Sequence, residues 1–222
     1  MRKYIVVAGN IGVGKSTLVS MLCQRMNCDP FFEPVTENPY LSDFYKDMNT
    51  WSFHSQVFFL AHRLQIHLAI SKHPVSVVQD RSVYEDAEIF ARNLRNQGFL
   101  AERDFNTYRH LYDVLVDLLP PPDLVIYLRA SVETLRQRIA RRGRDYETRI
   151  HPDYLAQLNA LYEGWTETVT FCPVLTVPAD ALDYVAHSAH LDLVVRKVHE
   201  KLQGKEEVQF SVEEVAQVNG CP

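Results

Sequence analysis

The sequence predicts an α/β fold, a three-layer α/β/α sandwich built on a five-stranded parallel sheet. Three observations predict it. The chain opens with a strand, a glycine-rich loop and a helix in immediate succession. Short apolar, β-branched runs then alternate with longer helical patterns down to residue 202, the signature of βαβ crossovers. Finally, Leu124-Val125-Ile126-Tyr127-Leu128 is apolar without interruption, as a strand buried on both faces of a parallel sheet must be.

The first strand is Lys3-Tyr4-Ile5-Val6-Val7-Ala8, and Gly9-Asn10-Ile11-Gly12-Val13-Gly14-Lys15-Ser16-Thr17 follows it. Leu18, Met21 and Leu22 then repeat at helical spacing. The loop has the pattern G-x-x-x-x-G-K-S. Its glycines let the backbone curl so that successive N–H groups face an anion. The helix behind it presents its positive end to the same anion. Lys15 reaches toward β- and γ-phosphates and the Ser16 hydroxyl toward Mg²⁺. The sandwich is therefore expected to be of the P-loop NTPase type.

Phe31-Phe32-Glu33 reads as a second strand stopped by Pro34, and Asn38-Pro39 opens a segment that ends near Met48. A long amphipathic helix is expected over residues 51–71, with Phe53, Val57, Leu60, Leu64 and Leu68 on its apolar side and His73-Pro74 as its stop. Val75-Ser76-Val77-Val78-Gln79 is the third strand and runs into Asp80-Arg81-Ser82. Helices over 84–96 and 102–118 precede Pro120-Pro121-Pro122 and the strand at 124–128. A helix over 132–141 leads into Arg141-Arg142-Gly143-Arg144, and together they suggest an arginine-rich lid. A further helix follows Pro152, the last strand is Pro173-Val174-Leu175-Thr176-Val177, and the last core helix covers 190–202. Residues 1–203 are expected to form one domain. Residues 204–222 turn acidic and polar, a tail that is either loosely held or folded into one more short helix.

Composition narrows the function. With 46% hydrophobic and 23% charged residues among 222, the chain has the balance of an ordinary globule with a sizeable core. Its net charge of −5 argues against nucleic acid as a partner. No basic, apolar leader opens it and no run is long enough to span a bilayer, so a cytoplasmic protein without a membrane partner is expected. Cys23, Cys28, Cys172 and Cys221 make no C-x-x-C pair, and the nine histidines have no metal-ligand spacing, so no zinc site is expected.

In an open parallel sheet, ligands bind beyond the carboxyl ends of the strands. The phosphate loop, Glu33 and Asp80-Arg81 all fall there. A triphosphate beside two carboxylates suits phosphoryl transfer to an alcohol, which needs a Mg²⁺ ligand and a base. Arg81 would stabilise the migrating charge or orient the acceptor. Gln56 and Arg63, seven apart with Phe59 between them, form a polar stripe on the long helix that a planar polar ligand such as a nucleobase would satisfy. Arg138, Arg142 and Arg144 stand where a lid over the phosphates would carry them.

Taken together, these motifs resemble the deoxynucleoside kinase family, whose members phosphorylate the 5′-hydroxyl of deoxyribonucleosides in nucleotide salvage. The resemblance rests on the phosphate loop, Glu33-Pro34, Phe44-Tyr45 ahead of Trp51-Ser52-Phe53, Gln56 with Arg63, the run from Asp80 to Asp86, and Arg142-Gly143-Arg144 with Glu147. Asn38-Pro39-Tyr40-Leu41 and the 79–86 run are similar to the deoxyadenosine and deoxycytidine kinases in particular. The resemblance implies ATP as donor, Mg²⁺ held by Ser16 and Asp80, and Lys15 on the phosphates. It implies Glu33 and Arg81 at the 5′-hydroxyl, with proton acceptance left open between Glu33 and Asp80. Tyr45 and Glu147 would hold the 3′-hydroxyl, Gln56 the base, and Phe90 would stack on it. Asp183-Tyr184 would lie near the ATP adenine. The charged pair Arg63 and Asp86 would make thymidine a poor substrate, with deoxyadenosine and deoxycytidine ahead of deoxyguanosine. A homodimer joined through helices is also implied. The rival readings are a nucleoside monophosphate kinase of the thymidylate kinase type, which Glu33 would disfavour by repelling an acceptor phosphate, and a non-catalytic nucleotide-binding switch, for which no D-x-x-G segment is present.

Overall fold

The computed structural model describes residues 2–32, 38–144, 147 and 150–220. Five strands form one sheet: β1 (Tyr4–Gly9), β2 (Asp29–Phe31), β3 (Val77–Asp80), β4 (Leu124–Arg129) and β5 (Val174–Pro178). Their order is β2-β3-β1-β4-β5 and every pairing is parallel. β1 lies at the centre, with Val7 opposite both Asp80 and Ile126. The chain leaves β1 toward one edge and returns later to the other, so the loop after β1 sits at the switch point where such sheets form a crevice.

Period-two alternation divides the core into two layers. Ile5 and Val7, with Leu124, Ile126, Leu175 and Val177, face α1 (Lys15–Met26) and α9 (Ser188–Leu202). Tyr4, Val6 and Ala8, with Val125 and Tyr127, face the opposite layer, which contains α3 (Met48–Ser71) and α8 (Pro152–Thr168). The remaining helices are α2 (Leu41–Lys46), α4 (Val83–Glu85), α5 (Arg92–Asn96), α6 (Glu102–Val116), α7 (Val132–Arg142) and α10 (Val212–Asn219). Among the described residues, no helix is long and apolar enough to cross a membrane.

Three expectations change. The second strand pairs as Asp29–Phe31, because its register with Val77–Gln79 places it two residues earlier than the aromatic run suggests. The helix expected over 84–96 is interrupted, Asp86–Ala91 forming a π-helical segment between α4 and α5. The largest change is in α3. Its buried stripe is Ser52, Gln56, Leu60, Arg63, His67 and Ile70, whereas Leu68 is 48% exposed and Phe53, Val57 and Leu64 are only half-buried. Arg63 is drawn inward by the polar partners that meet it there, and of the expected apolar side Leu60 is buried, Phe53, Val57 and Leu64 pack half-buried against the core, and Leu68 alone is exposed.

Candidate active site

A cavity of about 760 Å³ lies over the carboxyl ends of β1 and β3. Its donor end is the loop between β1 and α1. Gly12 has φ +82°, and a Cβ there would fall 2.6 Å from the Ile139 side chain, so the curl needs glycine. Helix α1 starts at Gly14 with neither a side-chain cap nor an acidic residue in its first turn, which leaves its N–H groups to an anion. Ile11, Gly12, Gly14, Lys15, Ser16 and Thr17 line the cavity. The other loop residues face inward: Val13 is buried in the core, and the Asn10 amide holds Leu155 O at 2.9 Å and Asn159 Oδ1 at 2.7 Å. The Lys15 ammonium donates to the carbonyls of Gly9 (2.9 Å) and Asn10 (3.0 Å).

β3 delivers Asp80 to the same place. The Ser16 hydroxyl donates to Asp80 Oδ2, and Asp80 Oδ1 is buried with no hydrogen-bond partner among the described residues. A hydroxyl and a carboxylate with a free lone pair, beside a phosphate cradle, fit Mg²⁺, which takes few protein ligands and completes its shell with phosphate and water. Arg81 is a non-glycine residue at φ +63°. Its guanidinium lies 4.2 Å from the Phe90 ring centroid and its Nη2 3.4 Å from Gly9 O.

The acceptor end is walled by Tyr45, Gln56, Phe59, Asp86, Phe90 and Glu147. Gln56 is 4% exposed and its Oε1 has no partner among the described residues, a cost of about 1–3 kcal/mol unless something supplies a donor. Arg63 lies behind this wall. Its Nε binds Asp86 Oδ2 at 2.8 Å, and its Nη1 binds the carbonyls of Asp80 (3.3 Å) and Arg81 (3.2 Å). The π-helical segment holds both Asp86 and Phe90 on the cavity. Tyr154, on α8, joins the wall, its hydroxyl pushed up to about 12 by burial. Tyr154 is not among the residues expected from the sequence, although the stripe Tyr154, Leu158, Tyr162 and Trp165 on α8 marks its face as buried.

The arginines divide by task. Arg138 donates to Val13 O (2.6 Å) and Ala179 O (2.8 Å), tying the phosphate loop to the segment after β5. Arg142 and Arg144 line the cavity and grip Glu147, with Arg142 Nε at 3.0 Å and Arg144 Nη1 at 3.4 Å. Asp183 caps Val185 and Ala186 (3.1 and 3.0 Å), and the Ala186 N–H above all holds its carboxyl below the usual range. Tyr184 is buried, with its hydroxyl close to Gly14, and burial pushes its pKa up to about 12. The cavity thus brings together Ile11, Gly12, Gly14, Lys15, Ser16, Thr17, Asp80, Arg81, Arg138, Arg142, Arg144, Asp183 and Tyr184 with Tyr45, Gln56, Asp86, Phe90 and Glu147, while Gly9, Asn10 and Val13 turn away from it and Arg63 supports it from behind. Glu33 lies outside the described residues; Phe32, its neighbour, lines the cavity.

Comparison with known proteins gives the family. The sequence profile for deoxynucleoside kinases matches residues 5–203. A deoxyadenosine/deoxycytidine kinase of Bacillus subtilis is 37% identical over 196 residues, covering 87% of this chain and 90% of the relative. A deoxyguanosine kinase of the same organism is 35% identical over 201 residues, covering 89% and 96%. Among solved structures, deoxyadenosine kinase from M. mycoides with bound dATP superposes with a TM-score of 0.79 at 32% identity, covering 89% of this chain and 100% of that one.

Proposed function

Because the chain belongs to the deoxynucleoside kinase family, ATP-dependent phosphotransferases, we propose that this cavity sets the 5′-hydroxyl of a deoxyribonucleoside against the terminal phosphate of ATP. The observation that carries the reading is a pair of buried acceptors in one cavity that find no hydrogen-bond partner among the described residues, Gln56 Oε1 at the base end and Asp80 Oδ1 at the phosphate end. A nucleobase amino group satisfies the first. Mg²⁺ satisfies the second and, when bound, neutralises charge on the β- and γ-phosphates.

The loop N–H groups and Lys15 hold the phosphates. With Asp80 Oδ2 already taken by Ser16, Asp80 suits the metal, which leaves Glu33 to accept the proton of the 5′-hydroxyl. Arg81 faces the transferring group, Tyr45 and Glu147 take the 3′-hydroxyl, and Phe90 stacks on the base. Arg138, Arg142 and Arg144 close over the phosphates, and Asp183 with Tyr184 borders the adenine. The buried Arg63–Asp86 pair fills the space beside the base, which disfavours thymidine and its 5-methyl group. A glutamine amide flips to serve adenine or cytosine, so deoxyadenosine and deoxycytidine rank ahead of deoxyguanosine. The relatives named for deoxyadenosine, deoxycytidine and deoxyguanosine support this range.

Two further features belong to the same reading. Leu68 on α3, Leu111 and Val114 on α6, and Leu118 just beyond it, are 41–75% exposed on adjacent helices, and a second copy of the chain would cover them. The described cysteines are free thiols, consistent with a reducing cytoplasm. The deciding experiment incubates the purified protein with ATP and Mg²⁺ and each of the four deoxynucleosides. Monophosphates of deoxyadenosine and deoxycytidine are expected; turnover of deoxynucleoside monophosphates alone would reject the reading.

A further inference from the structure

One buried carboxylate holds the first residue of the phosphate loop without itself lining the cavity. Glu85, the last residue of α4, is fully buried. Its Oε1 accepts the N–H of Gly9 at 3.2 Å and lies 2.7 Å from the Tyr162 hydroxyl. Its Oε2 accepts the N–H of Ser82 at 2.9 Å and lies 3.4 Å from the Ser82 hydroxyl. The Tyr162 hydroxyl also lies 2.9 Å from Gly9 O, one proton between two acceptors. The Gly9 and Ser82 N–H groups donate to one carboxyl oxygen each, and the Tyr162 and Ser82 hydroxyls complete the ring of polar contacts around it.

The two backbone groups it binds are not ordinary ones. Gly9 opens the phosphate loop at φ +145°, a conformation that a side chain would not tolerate, since its Cβ would fall 2.9 Å from Leu128 O. Its carbonyl seats both the Lys15 ammonium (2.9 Å) and the Arg81 guanidinium (3.4 Å). Ser82 follows Arg81, whose φ of +63° is a strained conformation for a β-carbon residue. Such strain persists only where the surroundings over-determine it. Here Arg81 N–H is tied to Val7 O at 3.0 Å, Arg81 O to Arg63, and the next N–H to Glu85.

The geometry points to Glu85, with Tyr162, as a positioning clamp that fixes the donor-side and acceptor-side cations in one frame. One oxygen orients Gly9 and through it the seat of Lys15; the other holds the strained turn that aims Arg81. The inference rests on the role given to Arg81 above. It assigns Glu85 no contact with either substrate, and its effect runs through placement, where a misalignment of about 1 Å can cost on the order of 10²-fold in rate.

The test compares Glu85→Gln, Tyr162→Phe and Arg81→Ala with the unaltered protein, each rate normalised to the folded fraction by circular dichroism and thermal melting. Glu85→Gln turns an NH₂ toward donors and is expected to lower kcat about 10- to 100-fold with KM values changed less than about threefold. Tyr162→Phe is expected to raise the KM for ATP about 3- to 10-fold and leave that for the nucleoside within about twofold, and it decides the matter if Glu85→Gln does not fold. Lower melting temperatures with unaltered kcat and KM per folded molecule would reduce the clamp to ordinary core structure and overturn it. If Arg81→Ala is impaired while both clamp variants are normal, the clamp alone falls; if Arg81→Ala is itself normal, the reading of Arg81 falls and the clamp with it.

Discussion

At the scale of single residues, the site works by leaving acceptors unsatisfied and by keeping charges paired. Among the described residues, Asp80 and Gln56 each keep a buried oxygen without a hydrogen-bond partner, a cost that ligand binding offsets. Glu33→Gln is expected to lower turnover about 10²- to 10⁴-fold, the range of a lost general base, with ATP affinity nearly unchanged; steady-state rates beside equilibrium titration of ATP check it. Arg63 and Asp86 are 1% and 4% exposed at the side chain. Arg63→Leu alone removes the guanidinium that Asp86 Oδ2 binds and is expected to cost about 3–5 kcal/mol in urea unfolding. Combined with Asp86→Ala, the same change removes that carboxylate too and opens space beside the base. The double variant is then expected to improve kcat/KM for thymidine relative to deoxyadenosine by about tenfold or more.

At the scale of elements, the wall of the cavity depends on helices that depart from regular behaviour. The π-helical turn carries Asp86 and Phe90, four positions apart and on one face, onto the cavity. Ser82 and Glu85 form a capping box, but that carboxylate also reaches Gly9, so a local helix-start signal doubles as a tertiary tie. α10 shows the opposite case, an element held mainly by electrostatics and a thin apolar stripe. Glu214 accepts from Lys197 at 2.8 Å and Arg196 at 3.0 Å, while Val215 and Val218 pack on the core. Lys197, with help from the Ser211 N–H and Arg196, pulls the Glu214 carboxyl down to about 2 from its ordinary 4.5. A depressed carboxyl stabilises the docked state above its unfolded value and loses that contribution as pH falls toward its folded value. Methyl NMR signals of Val215 and Val218 are therefore expected to keep docked shifts above pH 4.5 and to move toward released ones as pH falls from there to about 2. Glu214→Gln is expected to weaken docking at pH 7 to a similar extent, and high salt to reproduce part of the effect.

At the scale of the whole molecule, the central position of β1 explains why one crevice gathers residues from across the chain. Its neighbours on both sides are parallel, so their carboxyl ends open on the same edge and Asp80 arrives beside the phosphate loop. Leu68 on α3 and Leu118 near α6 are exposed apolar side chains that a second copy would cover. Leu118→Glu together with Leu68→Glu is expected to convert a dimer to a monomer in light scattering, with the fold kept by circular dichroism; a monomeric unaltered protein would reject the second-copy reading.

Local pattern alone determined the class of fold and pointed to the phosphate loop, because strand periodicity, glycine spacing and the G-K-S triplet are written in neighbouring positions, whereas Tyr45, Phe90, Glu147, Asp183 and Tyr184 were expected only from the resemblance to a family. It determined the polar stripe of α3 as well, since Gln56 and Arg63 are out of place on a face that must be buried. Only the tertiary structure decided which side of α3 turns inward, because that choice depends on Asp86 and the carbonyls of Asp80 and Arg81, which meet Arg63 from elsewhere in the chain. The Glu85 tie was hidden for the same reason: its partners, Gly9 and Tyr162, lie 76 and 77 positions away, and no local pattern reports a contact that folding alone brings about.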